Sequence, residues 1–434
     1  TETNSRQSPF DITTCTTPDF LPPITCPIDT SGLPSIITDK CAAILNSGVI
    51  TVDDVPGNAR VLSSTASAND GICLLEEAVD TANTLAANIL PSNSDCLPSQ
   101  PGGNIVLEPG QFIIEVTPNA TYLFITSVNP MPVIGNGLDL AQGQKVEITI
   151  QPRGIENETP SQPVLGTTIS TRLEDPYRIF EIAEGSTLKL NRITVSGGVI
   201  NSQNDPARPN GGGIYNAGTL ILQNDGGVIN NSATGNGGGI YNTSTGIVRI
   251  TEATISGNTA NGNGGAIFSE GLDTIVYNSI FQNNAALTGN GAVFFGNVAT
   301  IRSNCILHDV NSGPTDIAHN DPNSILSFHT ATIDAGLNWW GDPSGPGNPY
   351  DNNNNPPQVV ADIRITLGVN AASYIDQPPT IPGGCFQRMA TPIHGLNSPG
   401  VFNPGFYAPN PTIAASFANR IPGIEVQYRL FRDS

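Results

Sequence analysis

Lysine is almost missing from this chain of 434 residues. Only Lys40, Lys145 and Lys189 supply it, and arginine brings the bases to 17 against 37 acids, a formal charge of −20. A surface so poor in bases repels phosphate backbones and anionic lipid, which excludes nucleic acid as a partner and argues against a groove for polyanionic sugars. Neutral ligands and protein partners stay open. Charge of either sign is scarce, at 12% of residues, yet hydrophobic residues still make up 38%. That combination fits neither a disordered polyanion nor a charge-laced helical protein. No run approaches the roughly 20 apolar residues of a membrane-spanning helix, so no direct membrane span is expected. No C-x-x-C pair stands anywhere to suggest zinc or redox chemistry.

What the chain does have is 46 glycines and 36 prolines, with many Asn, Thr and Ser, a composition for short strands and tight turns. Cys15, Cys26, Cys41, Cys73 and Cys96 crowd the first quarter; with Cys385 they are the disulfide candidates, and they imply an oxidising compartment. Spacing alone does not give the connectivity, and an odd total of 7 leaves one thiol over. Cys305 is the residue expected to be free, as a small stacked side chain. The chain begins at Thr1, so an export signal is expected to have been removed.

Residues 210–310 carry an internal repeat: N-G-G-G-I-Y, N-G-G-G-I-Y, N-G-G-A-I-F and N-G-A-V-F. Ile214, Ile240, Ile267 and Val293 stand 26, 27 and 26 residues apart, each followed by an aromatic, Tyr215, Tyr241, Phe268 or Phe294. A second column is read as Ile229, Ile255, Ile280 and Ile306, and a third as Ile250, Ile275 and Ile301. Three short β-branched runs per period, each closed by Gly, Asn or Asp, describe one coil of a parallel solenoid. Glycine density excludes a helical repeat, since each interior Gly costs about 1 kcal/mol. Asn210, Asn236 and Asn263 recur four residues before the column Ile and are expected to form a ladder of stacked amides.

The fold class is therefore all-β: a right-handed, single-stranded parallel β-helix, a three-sided solenoid with an N-terminal capping helix and long irregular tails. Residues 1–60 read as a Cys/Pro-rich extension and 61–103 as a capping segment. Residues 104–345 read as the β-helix and 346–434 as a Pro/Asn-rich extension ending in a strand. The capping helix is placed at 74–88, with Leu75, Val79, Ala82 and Ala86 on one face. In the last twelve residues Ile424, Val426, Tyr428 and Leu430 alternate with polar partners, the pattern of a half-buried strand able to pair with a neighbouring chain.

These residues resemble a known group, the bacterial secreted β-helix proteins. Their N-terminal motif is of the C-S-L-R-E-A-I type, G-G-G-I-Y-N-type repeats follow, and they are akin to polymorphic outer-membrane and adhesin-like proteins. The resemblance covers roughly residues 60–345. The N-terminal motif stands here as Cys73-Leu74-Leu75-Glu76-Glu77-Ala78-Val79, with Leu74 and Glu76 where the group has Ser and Arg. After it come R-I-F-E-I-A-E-G-S-T-L-K-L-N-R-I-T-V-S-G-G, the repeats, and N-W-W-G-D-P-S-G-P. The resemblance implies a secreted or cell-surface bacterial protein with a structural or adhesive role. The same fold also hosts polysaccharide lyases and hydrolases, and fold alone does not choose between them.

No catalytic constellation is legible. Asp53-Asp54 lies before the solenoid and Glu76-Glu77 on the presumed cap, while Asp205, Asp225, Asp273 and Asp309 share no column and read as solvated turn acids. Arg249 and Arg302, the candidate lyase bases, are isolated in sequence. His308, His319, His329 and His394 lack metal-ligand spacing. No cofactor is called for; Ca²⁺ at Asp/Asn turns is the one metal left open, without an EF-hand loop to hold it. The candidate binding or assembly surface is the column Tyr215, Tyr241, Phe268 and Phe294 with Trp339, Trp340 and the terminal Ile424, Val426, Tyr428 and Leu430. A column facing out would be a stripe for a carbohydrate or another chain; facing in, it would be core. The expectation is an extracellular structural, self-assembling or adhesive protein without catalytic activity, self-associating through its extensions. A polysaccharide-active lyase or hydrolase and a monomeric glycan-binding adhesin are the alternatives.

Overall fold

The structure is a computed structural model that describes residues 47–53, 72–89, 95–99, 105–124, 131–155, 166–171, 177–202, 205–271, 273–287, 293–297, 299–302 and 304–306. Short pieces before and after these are also described, the last at 393–394. Among them lie a single α-helix and many short strands. Every pairing within the three larger sheets is parallel. No helix among the described residues is long and apolar enough to cross a membrane.

The repeat is the unit of this topology. Strand Ile214–Asn216 pairs in register with Ile240–Asn242, that with Ile267–Ser269, and that with Val293–Phe295. The next strand of each repeat, Thr219–Ile229 and then Ile247–Ser256, joins a second sheet. The third, Ser232–Ala233, Thr259–Ala260 and Ala285–Ala286, joins another. Each repeat thus gives strands to the same three sheets in the same order. The long strand Thr219–Ile229 bends at Asn224 and Asp225, both at positive φ, where its register shifts. Arg192, Glu252 and Asn278 take the same left-handed conformation in the neighbouring repeats, so this bend is itself a stacked column.

One apolar core runs from Ile50 to Ile306. Ile214, Ile240, Ile267 and Val293 all point into it, at most 1% exposed. The other two columns differ from the sequence reading by one residue. Val228, Ile255, Phe281 and Ile306 are the buried, paired set, while Ile229 and Ile280 face outward and are half-buried. Likewise Ile250 pairs with Val276 and Val276 with Ile301, leaving Ile275 outside. The cause is physical: two β-branched or aromatic residues stand side by side at 228–229, 275–276 and 280–281. Strand alternation buries one and exposes the other, and cross-strand register decides which.

The helix spans Leu75–Ala86, and Leu75, Val79, Ala82 and Ala86 are all buried. Glu77 accepts from the Leu74 N–H at 3.1 Å, satisfying one of the donors a helix start leaves open. Asn83 ties the helix to the chain beyond it, donating to the Val133 carbonyl at 2.8 Å and accepting from the Gly135 N–H at 2.8 Å. A buried disulfide joins Cys73 to Cys96. Cys305 is also disulfide-bonded, which corrects the expectation of a free thiol; it pairs across the sheet with Ile280 rather than aligning with Ser279. Cys15 and Cys26 lie on an antiparallel strand pair, whereas Cys41 and Cys385 lie outside the described residues.

Candidate interaction surface

The aromatic column is real and forms a continuous stack on the outer side of its sheet. Ring centroids are 5.3 Å apart from Tyr215 to Tyr241, 5.2 Å from Tyr241 to Phe268 and 4.9 Å from Phe268 to Phe294, the last two pairs within 5° of parallel. In-register pairing sets this spacing, because adjacent parallel strands are about 4.8 Å apart. The rings form a cluster separate from the main core. Their faces are taken up by one another, so a sugar ring has no inner face of the stack to lie on. At the far end the next strand places Ala318 opposite Phe294.

The near end is closed by cations. The Arg178 guanidinium lies 4.9 Å from the Tyr215 ring centroid and that of Arg208 lies 5.6 Å away, a cation–π arrangement. Arg178 meets Glu181 at 3.0 Å and Asp205 at 3.7 Å. Arg208 bridges Asp205 at 3.3 Å and also pairs with Glu181. Burial pushes the Arg178 pKa down; Glu181 and Asp205 oppose the fall and Arg208 adds to it. For Arg208 burial also acts downward, but Glu181 and then Asp205 outweigh it and hold its pKa above the ordinary value. Arg178 further donates to the carbonyls of Arg208, Asn210 and Gly211 at 2.8, 2.9 and 3.1 Å. It pins residues 208–211, in a connection, 201–213, longer than its counterpart 234–239 in the next repeat.

Periodicity did not reveal this cluster, because Asp205 and Arg208 belong to a connection that departs from the period; the extra length was the available signal. Asp205, read as a solvated turn acid, is held between two arginines. Arg249 is not isolated either, since it pairs with Asp273. Asp225 does occupy an exposed turn position. Tyr241 donates to Glu270 at 3.4 Å. Its pKa is pushed up to about 12, by burial first and then by the Glu270 charge.

Amide ladders run through the interior. Asn231 donates through Nδ2 to Asn258 Oδ1, and Asn258 to Asn284 Oδ1, each at 2.9 Å. Asn216 donates to Asn242 at 2.6 Å and Asn242 to Ser269 at 2.8 Å. Asn210, Asn236 and Asn263 stack as expected but bond differently. Each side-chain oxygen of the first two accepts from the backbone N–H of the next, at 2.7 and 2.8 Å. Trp339, Trp340, Ile424, Val426, Tyr428 and Leu430 lie outside the described residues, as do His308, His329, Asp54 and Asp309. Among the described residues no group of three or more His, Cys, Asp or Glu is placed to hold a metal ion.

Residues 252–270 match the repeat of the Chlamydia polymorphic membrane protein family, which fits a protein of the polymorphic outer-membrane type. The matched stretch holds the residues that build the stack: inward Ile255 and Ile267, Asn258 of the amide ladder, left-handed Gly257 and Gly264, and Phe268 of the aromatic column. No curated protein and no solved structure matches the chain.

Proposed function

We propose that this chain is a right-handed, three-sided parallel β-helix serving as a structural, self-associating or adhesive element on the surface of a bacterium, without catalytic activity. The observation that carries the reading is the in-register parallel pairing of four successive repeats, strand for strand. Apolar, amide and aromatic columns run through the same stack. Each column gains only from its neighbours above and below, so the natural product of the sequence is a stiff rod whose stability grows with the number of coils. The match to a surface-protein repeat supports the location.

The N-terminal end favours a finished rod over an open one. Its edge strand, Gly48–Thr51, is occupied at Val49 by Ser99, through two reciprocal backbone bonds of 2.8 Å. An uncovered parallel edge invites uncontrolled strand addition, and association is directed to the chain's extensions. Negative-stain electron microscopy across a concentration series tests this. Regular filaments or sheets uphold it, and dispersed single particles at every concentration overturn the self-associating reading.

A further inference from the structure

Between the first and second sheets of each repeat the chain turns a corner, and the corners differ in length. Residues 183–186 separate Ile182 from Thr187, and residues 243–246 separate Asn242 from Ile247, but only Ala217 and Gly218 separate Asn216 from Thr219. The strands on both sides remain in register. A corner two residues shorter than its neighbours above and below therefore leaves a notch in the side of the stack. Gly218 makes the short corner feasible: a Cβ there would lie 2.3 Å from the carbonyl oxygens of Ala183 and Ser186.

The notch is a cleft of about 380 Å³, at the small end of ligand sites and enough for about a dozen waters or one sugar ring. Its floor is the short corner. Its walls carry Glu184 from the corner above, Thr245 from the corner below, and Leu140, Gln144 and Lys145 from the preceding segment. Two wall residues are held in place: Gln144 donates to the Ala87 carbonyl at 3.0 Å and accepts from the Asp139 N–H at 2.7 Å, and Thr245 donates to the Ala217 carbonyl at 2.9 Å. Lys189 is engaged by Glu147 at 2.9 Å, but Lys145 and Glu184 engage no other described side chain.

We propose that this notch binds a single neutral, hydroxyl-rich ring, one pyranose unit of a glycan. One cation and one carboxylate in the same cleft give it no net charge, suiting a ligand that offers donors to Glu184 and acceptors to Lys145 and the Thr219 hydroxyl. Leu140, 46% exposed, and Ile247 supply an apolar wall for the C–H face of the ring. The site is independent of the proposed self-association, so dispersed particles in the microscope leave it standing.

The test is saturation-transfer NMR and calorimetric titration of the full chain with glucose, galactose, mannose and N-acetylglucosamine, with glycine and lactate as dipolar and anionic controls. The expected result is saturable millimolar binding of at least one sugar. Glu184→Ala and Lys145→Ala should each weaken it about tenfold, and Ala217→Trp, which fills the floor, should abolish it. Both charged residues are exposed, so their variants report on binding even if Ala217→Trp folds poorly. Absence of saturable sugar binding, preference for a control, or unchanged affinity in Glu184→Ala and Lys145→Ala would overturn the assignment.

Discussion

Asn258→Ala removes the middle rung of an interior amide ladder. Asn258 is fully buried. Its Oδ1 accepts from the Asn231 backbone N–H at 3.0 Å and from Asn231 Nδ2 at 2.9 Å, and its Nδ2 donates to the Val228 carbonyl at 2.8 Å and to Asn284 Oδ1 at 2.9 Å. At a net value of about 1 kcal/mol per bond the loss is roughly 4 kcal/mol, and leaving buried partners unsatisfied adds to it while relaxation subtracts. The expected destabilisation is about 3–5 kcal/mol, against about 0.5 kcal/mol or less for Thr243→Ala, whose exposed hydroxyl meets only Thr245. Urea unfolding followed by circular dichroism gives the two values. Because repeats couple to their neighbours, amide exchange in Asn258→Ala should accelerate first around Val228–Asn231 and Ile255–Asn258. A loss below about 1 kcal/mol, or no difference from Thr243→Ala, would refute the view that buried amide ladders hold the coils together.

Three further outcomes follow from the same geometry. Gly238→Ala places a Cβ 2.3 Å from the Thr259 carbonyl oxygen and 2.6 Å from that of Gly265, with paired backbone on both sides. It should cost more than about 3 kcal/mol, whereas near-native stability would contradict the packing. The Tyr241 phenol stays neutral in the folded chain to about pH 12. Its folded pKa lies above the unfolded value of about 10, so its contribution is complete below that pH and is lost as pH rises through the folded value. Tyr241→Phe should therefore remove a component of ultraviolet phenolate absorbance that titrates near pH 12, and an unchanged titration curve would argue against it. Asn136 is exposed before left-handed Gly137, while the Gly211 and Gly237 N–H groups are bound to the Asn236 and Asn263 carbonyls. Peptide mass spectrometry after mild alkaline ageing should find deamidation at Asn136 well ahead of Asn210 and Asn236; equal rates would contradict the protection.

The first column and the helix Leu75–Ala86 were legible because each rests on one unambiguous signal. Ile214 and its counterparts have a glycine or alanine before them and an aromatic after, and Leu75, Val79, Ala82 and Ala86 share one helical face. The second and third columns slipped by one residue at Ile229, Ile275 and Ile280, because two apolar neighbours compete for one inward position and only pairing with the next repeat decides. The outer face of the aromatic stack was readable as a column but not as closed, since Asp205 and Arg208 of the closing cluster come from a connection outside the period. The notch was hidden for a related reason: a missing pair of turn residues leaves no motif, only a shorter interval between Asn216 and Thr219.

The proposed solenoid requires the repeat of 26 or 27 residues to be a complete and additive unit. Inserting four further copies of residues 236–262 between Gly262 and Asn263 tests it, with the longest dimension measured by small-angle X-ray scattering. At about 4.8 Å per coil the account predicts a particle longer by roughly 19 Å, of unchanged cross-section and with stability equal to or above that of the parent. A chain that unfolds, or that thickens instead of lengthening, would contradict it.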